Sequence, residues 1–188
     1  MFQTKIDISE ATRKSVIAIL SQRLADAIDV AQLAKHAHWN VKGANFIAIN
    51  KLFDKIHEEL ESSSDLIAER IAQLGGYVEG TCKTVAKETS LSDYPEGVVD
   101  EFDHVEALAS ALAEFGKVVR EGIGKTASLR DAGTADILTQ ISRGLDKNLW
   151  FLENHNHRVI GVRTPEKSLS IERSGRMKPR PGVSQARM

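Results

Sequence analysis

The sequence predicts an all-α protein, a bundle of four long helices with one long crossover. Two observations carry this. Apolar residues recur at helical spacing over four stretches of about 25 to 30 residues, with glycine or short polar breaks between them. Composition agrees, since Pro contributes only 4 of 188 residues and aromatics 5%, while Ala, Leu, Ile, Glu and Lys favour helix over strand.

The first helix opens near Ser9, with Glu10 in its first turn, and carries the stripe Val16, Ile17, Leu20, Leu24, Ala27, Ile28, Ala31 and Ala34 to about Asn40. Such a run spans roughly 45 Å at 1.5 Å per residue, a bundle length. Lys42, Gly43 and Ala44 break it. A second helix runs from about Asn45 to Leu74 and stops at Gly75 and Gly76. The linker is short, so these two helices are antiparallel neighbours. Residues 77–97 lack a period and read as the crossover, with a short helix near Lys83 to Lys87. A third helix is expected from about Val98 to Gly122, with the next turn at Gly124, Asp131 and Gly133. A fourth is expected from Thr134, as N-cap, to about His157. The crossover makes the third helix parallel to the second. The end of the first helix, the start of the second and the end of the fourth then share one end of the bundle.

The net charge of −1 hides an asymmetry. Between Arg158 and Met188 eight basic residues face only Glu166 and Glu172, a segment of +6 that leaves −7 for the remainder. The division expected is a bundle over 1–157 and a basic C-terminal tail over 158–188. Cys82 is the only cysteine, which excludes an intramolecular disulfide and fits a reducing compartment. No apolar run approaches a membrane span, and "MFQTKIDISE" lacks the pattern of a signal peptide. The expected location is the cytoplasm, with no membrane partner, and the nucleoid if the tail binds DNA.

The candidate chemistry lies on the first two helices. Asp54, Glu58, Glu61, Asp65 and Glu69 form one acidic line at spacings of three and four. Alone it reads as a solvated face. It follows His38, Trp39, Asn40, Val41, Lys42 and Gly43, however, and continues through Asp65-Leu66-Ile67-Ala68-Glu69-Arg70 to Gln73-Leu74-Gly75-Gly76. These two segments, with "TADILTQISRGLDKNLWFLE" later in the chain, resemble the signatures of the Dps family, the bacterial mini-ferritins. The similarity covers about Ser9 to Glu153.

The resemblance implies a ferritin-like bundle assembling into a hollow homododecamer. It also implies iron oxidation at a centre shared across a twofold interface. By position, His38 and Asp54 match the ligands from one subunit, Asp65 and Glu69 match those from its partner, and Trp39 lies beside the centre. The implied work is oxidation of Fe²⁺ by peroxide or oxygen and storage of ferric mineral in the cavity, which protects DNA from oxidative damage. A second family histidine falls on Asn50, which offers only a neutral amide oxygen. His57, His155 and His157 are candidates to compensate, and His57 ranks first because it follows Asp54 by three. A histidine-rich site would also suit zinc. His36 points to nearly the opposite side of the helix from His38 and is assigned no role, and His104 is assigned a surface position. Asp136 and Asp146 match pore-lining acids of the family, while Gly144 stands where another acid is usual.

Two further readings stay open. One is a DNA-condensing shell with impaired oxidation, its basic tails acting together on phosphate. The other is a shell with zinc in a remodelled site.

Overall fold

A computed structural model describes residues 1–156. Among them are five helices: α1 (Glu10–Asn40), α2 (Phe46–Gln73), α3 (Cys82–Glu88), α4 (Glu101–Ser128) and α5 (Ala132–Asn156). The expected bundle over 1–157 and tail over 158–188 divide the chain one residue beyond the last described position. The predicted roles of His157 and the tail therefore lie outside the described residues.

α1 begins where the sequence places it, because the Ser9 hydroxyl accepts from the Thr12 amide at 3.2 Å. α2 ends in a two-bond glycine cap. The Gly75 amide donates to Ala72 O at 2.9 Å and the Gly76 amide to Ile71 O at 2.8 Å. Gly75 takes φ +84°, a conformation open to glycine and costly for other residues. Cys82 is exposed at the start of α3.

Two boundaries differ from expectation. α4 starts at Glu101 behind an Asp100 cap and runs on to Ser128, so Gly122 and Gly124 lie inside it. Gly122 does not stop the helix, because it is buried against α5. A Cβ there would come within 3.1 Å of the Leu138 side chain. The turn that follows takes its left-handed residue from Arg130, at φ +61°, not from a glycine. The cap of α5 is Asp131, not Thr134. Its Oδ1 accepts from the Thr134 amide at 3.0 Å and its Oδ2 from the Thr134 hydroxyl at 2.6 Å.

The core is one apolar seam through all four long helices, with Leu20, Phe53, Ile67, Leu112, Phe115 and Leu152 among its fully buried members. Side-chain bonds show how the helices run. At one end the Asn45 amide and side chain both donate to the buried Glu101 carboxylate at 2.8 Å, joining the starts of α2 and α4. At the other end Arg70 binds Asp131 at 2.8 Å, joining the end of α2 to the α4–α5 turn. α2 and α4 are therefore parallel. The end of α5 returns to the first end, where Asn156 donates to Glu106 at 3.0 Å. This is the arrangement the long crossover predicts.

Candidate metal centre

The register of the α1–α2 hairpin positions the candidate side chains. Three rungs define it. The His38 ring N–H at Nδ1 donates to the Asn50 carbonyl at 2.9 Å, Lys35 Nζ donates to Asp54 Oδ1 at 2.5 Å, and His57 Nδ1 donates to the Ala31 carbonyl at 2.9 Å. A carbonyl accepts only, so the hydrogen of His38 sits on Nδ1 and the Nε2 lone pair is free for a metal. A backbone carbonyl is a usual partner for the far nitrogen of a ligating histidine.

Asn50 is already engaged. Its Nδ2 donates to the His38 carbonyl at 2.8 Å, so Oδ1 is its one remaining ligand atom. The hairpin here is thus tied in both directions between residues 38 and 50. Gly43 in the linker makes this closure feasible, since a Cβ at that position would collide with the Glu101 carboxylate.

Asp54 lies 3.9 Å from His38 Nδ1. The Lys35 ammonium beside it holds its carboxyl below the ordinary value; partial desolvation opposes this and His38 adds to it. The carboxylate therefore stays charged to lower pH than a free Asp and competes less with protons for a cation. Lys35 is the participant the sequence reading missed. It precedes His38 by three and so shares its face, but nothing before the hairpin register was known pointed it at Asp54.

Asp65 and Glu69 are exposed on the same side of α2. Asp65 is eleven residues beyond Asp54, about 16 Å along the axis, so one chain does not bring His38 and Asp54 to Asp65 and Glu69. Among the described residues no three His, Cys, Asp or Glu side chains converge as a metal cluster. His38 and Asp54 are brought together, while Asp65 and Glu69 stand apart on a free face. Asp65 and Glu61 line a groove between α1 and α2 with Leu24, Ile28, Gln32 and Ala68. Trp39 is 68% exposed in the single chain, as are Ile47 and Phe46 to smaller degrees, which leaves an apolar rim at this end.

The remaining histidines sort clearly. His57 is buried to 8% exposure, and its Nε2 lies 3.5 Å from Glu61 Oε1. His155 does not lean inward. It is exposed, and its Nδ1 turns back to donate to Phe151 O at 2.8 Å. His36 is exposed, edge-on to Tyr94 with ring centroids 5.3 Å apart. His104 is not on the surface: it is fully buried, bonded through Nδ1 to the Tyr94 hydroxyl at 2.8 Å and packed edge-on against Phe53. Burial lowers its pKa and raises that of Tyr94. The crossover brings Tyr94 over His104, a contact hidden in an aperiodic segment. Asp146 pairs with Arg120 at 3.0 Å, Asp136 is exposed, and open space surrounds Gly144.

Comparisons with known proteins agree with this fold. The ferritin-like domain family matches residues 17–159. A DNA protection during starvation protein of Agrobacterium fabrum is 42% identical over 153 residues, covering 81% of this chain and 94% of the relative. One from Mycolicibacterium smegmatis is 32% identical over 163 residues, covering 85% of this chain and 86% of the relative. Among solved structures, Mycobacterium smegmatis Dps superposes with a TM-score of 0.79 at 29% identity, covering 90% of this chain and 97% of that one. DpsC from Streptomyces coelicolor gives 0.78 at 28% identity, covering 82% and 90%.

Proposed function

The chain belongs to the ferritin-like family and, within it, to the Dps proteins, and from that premise we propose that it binds ferrous iron and oxidises it at a centre shared by two subunits. The observation that carries this reading is the split of the ligands. One chain presents His38 and Asp54 together at the base of the hairpin and leaves Asp65 and Glu69 on an exposed stretch of the same helix. Antiparallel pairing of two copies of α2 lays Asp65 and Glu69 of one beside His38 and Asp54 of the other. A twofold contact repeats this, so each dimer holds two identical centres.

An imidazole with three carboxylates is a donor set suited to ferrous iron. His38 offers Nε2, fixed in orientation by the Asn50 carbonyl. Asp54 offers a carboxylate that stays ionised, with Lys35 on one oxygen. Trp39 lies on the exposed apolar rim at that end of the hairpin. Each ferrous ion gives up one electron and a peroxide takes two, so two ferrous ions are consumed per peroxide. The ferric product passes to the cavity of a dodecameric shell for storage, which denies iron and peroxide to radical chemistry near DNA. Iron travels inward past Asp136, the acidic pore residue left free by the Arg120–Asp146 pair, and Gly144 weakens the attraction of that route.

A second reading, a DNA-condensing shell that oxidises iron slowly, is favoured by the engagement of Asn50. Its amide is turned to the His38 carbonyl, where a family histidine would ligate. The segment that would meet DNA is the +6 tail of 158–188. The testing experiment is anaerobic Fe²⁺ loading followed by peroxide or oxygen, on the wild type and Asn50→His. Rapid oxidation by the wild type with little gain in the variant supports the oxidation reading. A slow wild type and a fast variant move the DNA role to first place, to be checked by the salt dependence of DNA binding.

A further inference from the structure

We infer that His57 and Glu61 form a separate binding position for a tetrahedral divalent transition ion, one turn along α2 from Asp54. His57 is more than nine-tenths buried, so its aim is set by packing. Its Nδ1 hydrogen is committed to the Ala31 carbonyl at 2.9 Å, which leaves the Nε2 lone pair directed outward, and Nε2 makes no hydrogen bond among the described residues. The atom it faces is Glu61 Oε1, at 3.5 Å.

That separation decides between two uses of the pair. A charge-assisted hydrogen bond between imidazolium and carboxylate closes to about 2.7–2.9 Å, so this pair is too far apart to be one. Two ligands of a single tetrahedral ion, each about 2.0–2.2 Å from the metal, stand about 3.4 Å apart. Cis ligands of an octahedral ion at similar bond lengths stand about 3.0 Å apart, so the geometry favours the tetrahedral choice. The i, i+4 spacing puts both groups on one helix face, an arrangement suited to chelation. The Ala31 carbonyl is itself a partner of the far nitrogen, which orients the ring as in known metal sites. Glu61 has 62% of its side chain exposed in the single chain and lines the α1–α2 groove with Asp65, so the remaining coordination positions fall to water or, in the proposed twofold pairing of α2, to groups of the partner helix.

The position stands beside the oxidation centre and does not share His38 with it. The test uses Co²⁺ as probe on the assembled full-length protein without iron, reading the visible absorption that tetrahedral Co²⁺ gives strongly and octahedral Co²⁺ weakly. The wild type is expected to show one tetrahedral Co²⁺ per subunit. In a His38→Ala background, where the oxidation centre no longer competes for the probe, the band should persist, and adding His57→Gln or Glu61→Gln should abolish it. A wild type without the band, a band that survives both substitutions, or a band lost in His38→Ala overturns the inference. Using two separate ligand variants guards against misfolding of one. Failure of the oxidation reading is seen elsewhere: His38→Ala and Asp54→Asn then change neither the iron bound nor its oxidation, whatever the cobalt band does.

Discussion

α2 carries a cation–carboxylate contact at each end, and the two are built for different purposes. At its C-terminal end Arg70 meets Asp131, with only 1% of the Asp131 side chain exposed. Every oxygen of that carboxylate is used, by Arg70, by the Thr134 amide and by the Thr134 hydroxyl. Near its N-terminal end Lys35 meets Asp54 with 27% and 39% of the side chains exposed and one carboxylate oxygen left open. The rigid fork of arginine suits a closed, permanent joint, and the single mobile charge of lysine suits a contact a metal can share. One end holds the bundle together, and the other, on the proposed reading, exchanges a cation.

The comparison predicts opposite responses. The largest is at the closed end. Asp131→Ala strips the cap from α5 and leaves Arg70 without its partner, an expected loss of about 3–5 kcal/mol, read as a lower urea midpoint at fixed protein concentration. pH acts the same way. Burial disfavours the Asp131 carboxylate, but the Thr134 bonds and the Arg70 charge outweigh it and leave the pKa lowered. Its stability contribution is complete above the ordinary carboxylate range and is lost as pH falls through the lowered value. The variant should therefore lose the part of the acid-unfolding slope that lies below about pH 4. An unchanged slope would show that the joint is not built as described.

At the open end the expected effect is on iron and not on folding. Asp54→Asn should slow iron oxidation by on the order of 100-fold while the unfolding free energy from urea denaturation stays within about 0.5 kcal/mol of the wild type. A large stability loss there would erase the distinction between the two ends. The smallest effect is at Lys35. Lys35→Met removes the competing ammonium and should tighten Fe²⁺ or Zn²⁺ binding about fivefold, the scale of a partly exposed ion pair worth up to ~1 kcal/mol. The gain should shrink with added salt. Weaker binding would mean that Lys35 positions Asp54 and does not compete for it.

The contrast also explains what the sequence made visible. The stripes of α1, α2 and α5 were plain because their apolar residues keep one period, and Ser9 and Gly75 mark real caps. α4 was read short because Gly122 and Gly124 look like stops, whereas Gly122 is a close-packing contact with Leu138. The alignment of the α4–α5 turn was missed for a related reason: Arg130 takes the left-handed position that a glycine was expected to fill. Motif and spacing point to His38 and Asp54 as candidates, and the hairpin sets their side chains 3.9 Å apart. Lys35 was not readable, because its contact depends on the side-by-side register of two helices and not on its own neighbours. His104 was misplaced because its cover, Tyr94, comes from a segment with no period to read.

Subunit complementation separates the proposed shared oxidation centre from one built within a single chain. His38→Ala and Glu69→Gln subunits are unfolded, mixed in equal amounts and reassembled, and Fe²⁺ oxidation is compared with each variant alone. A shared centre leaves both single variants inactive. Half of the mixed dimers then pair one of each, and one of their two centres regains an intact His38 and Glu69, so about a quarter of wild-type activity should return. A mixture no more active than its components, from variants that each reassemble and still bind their partner, would contradict the account.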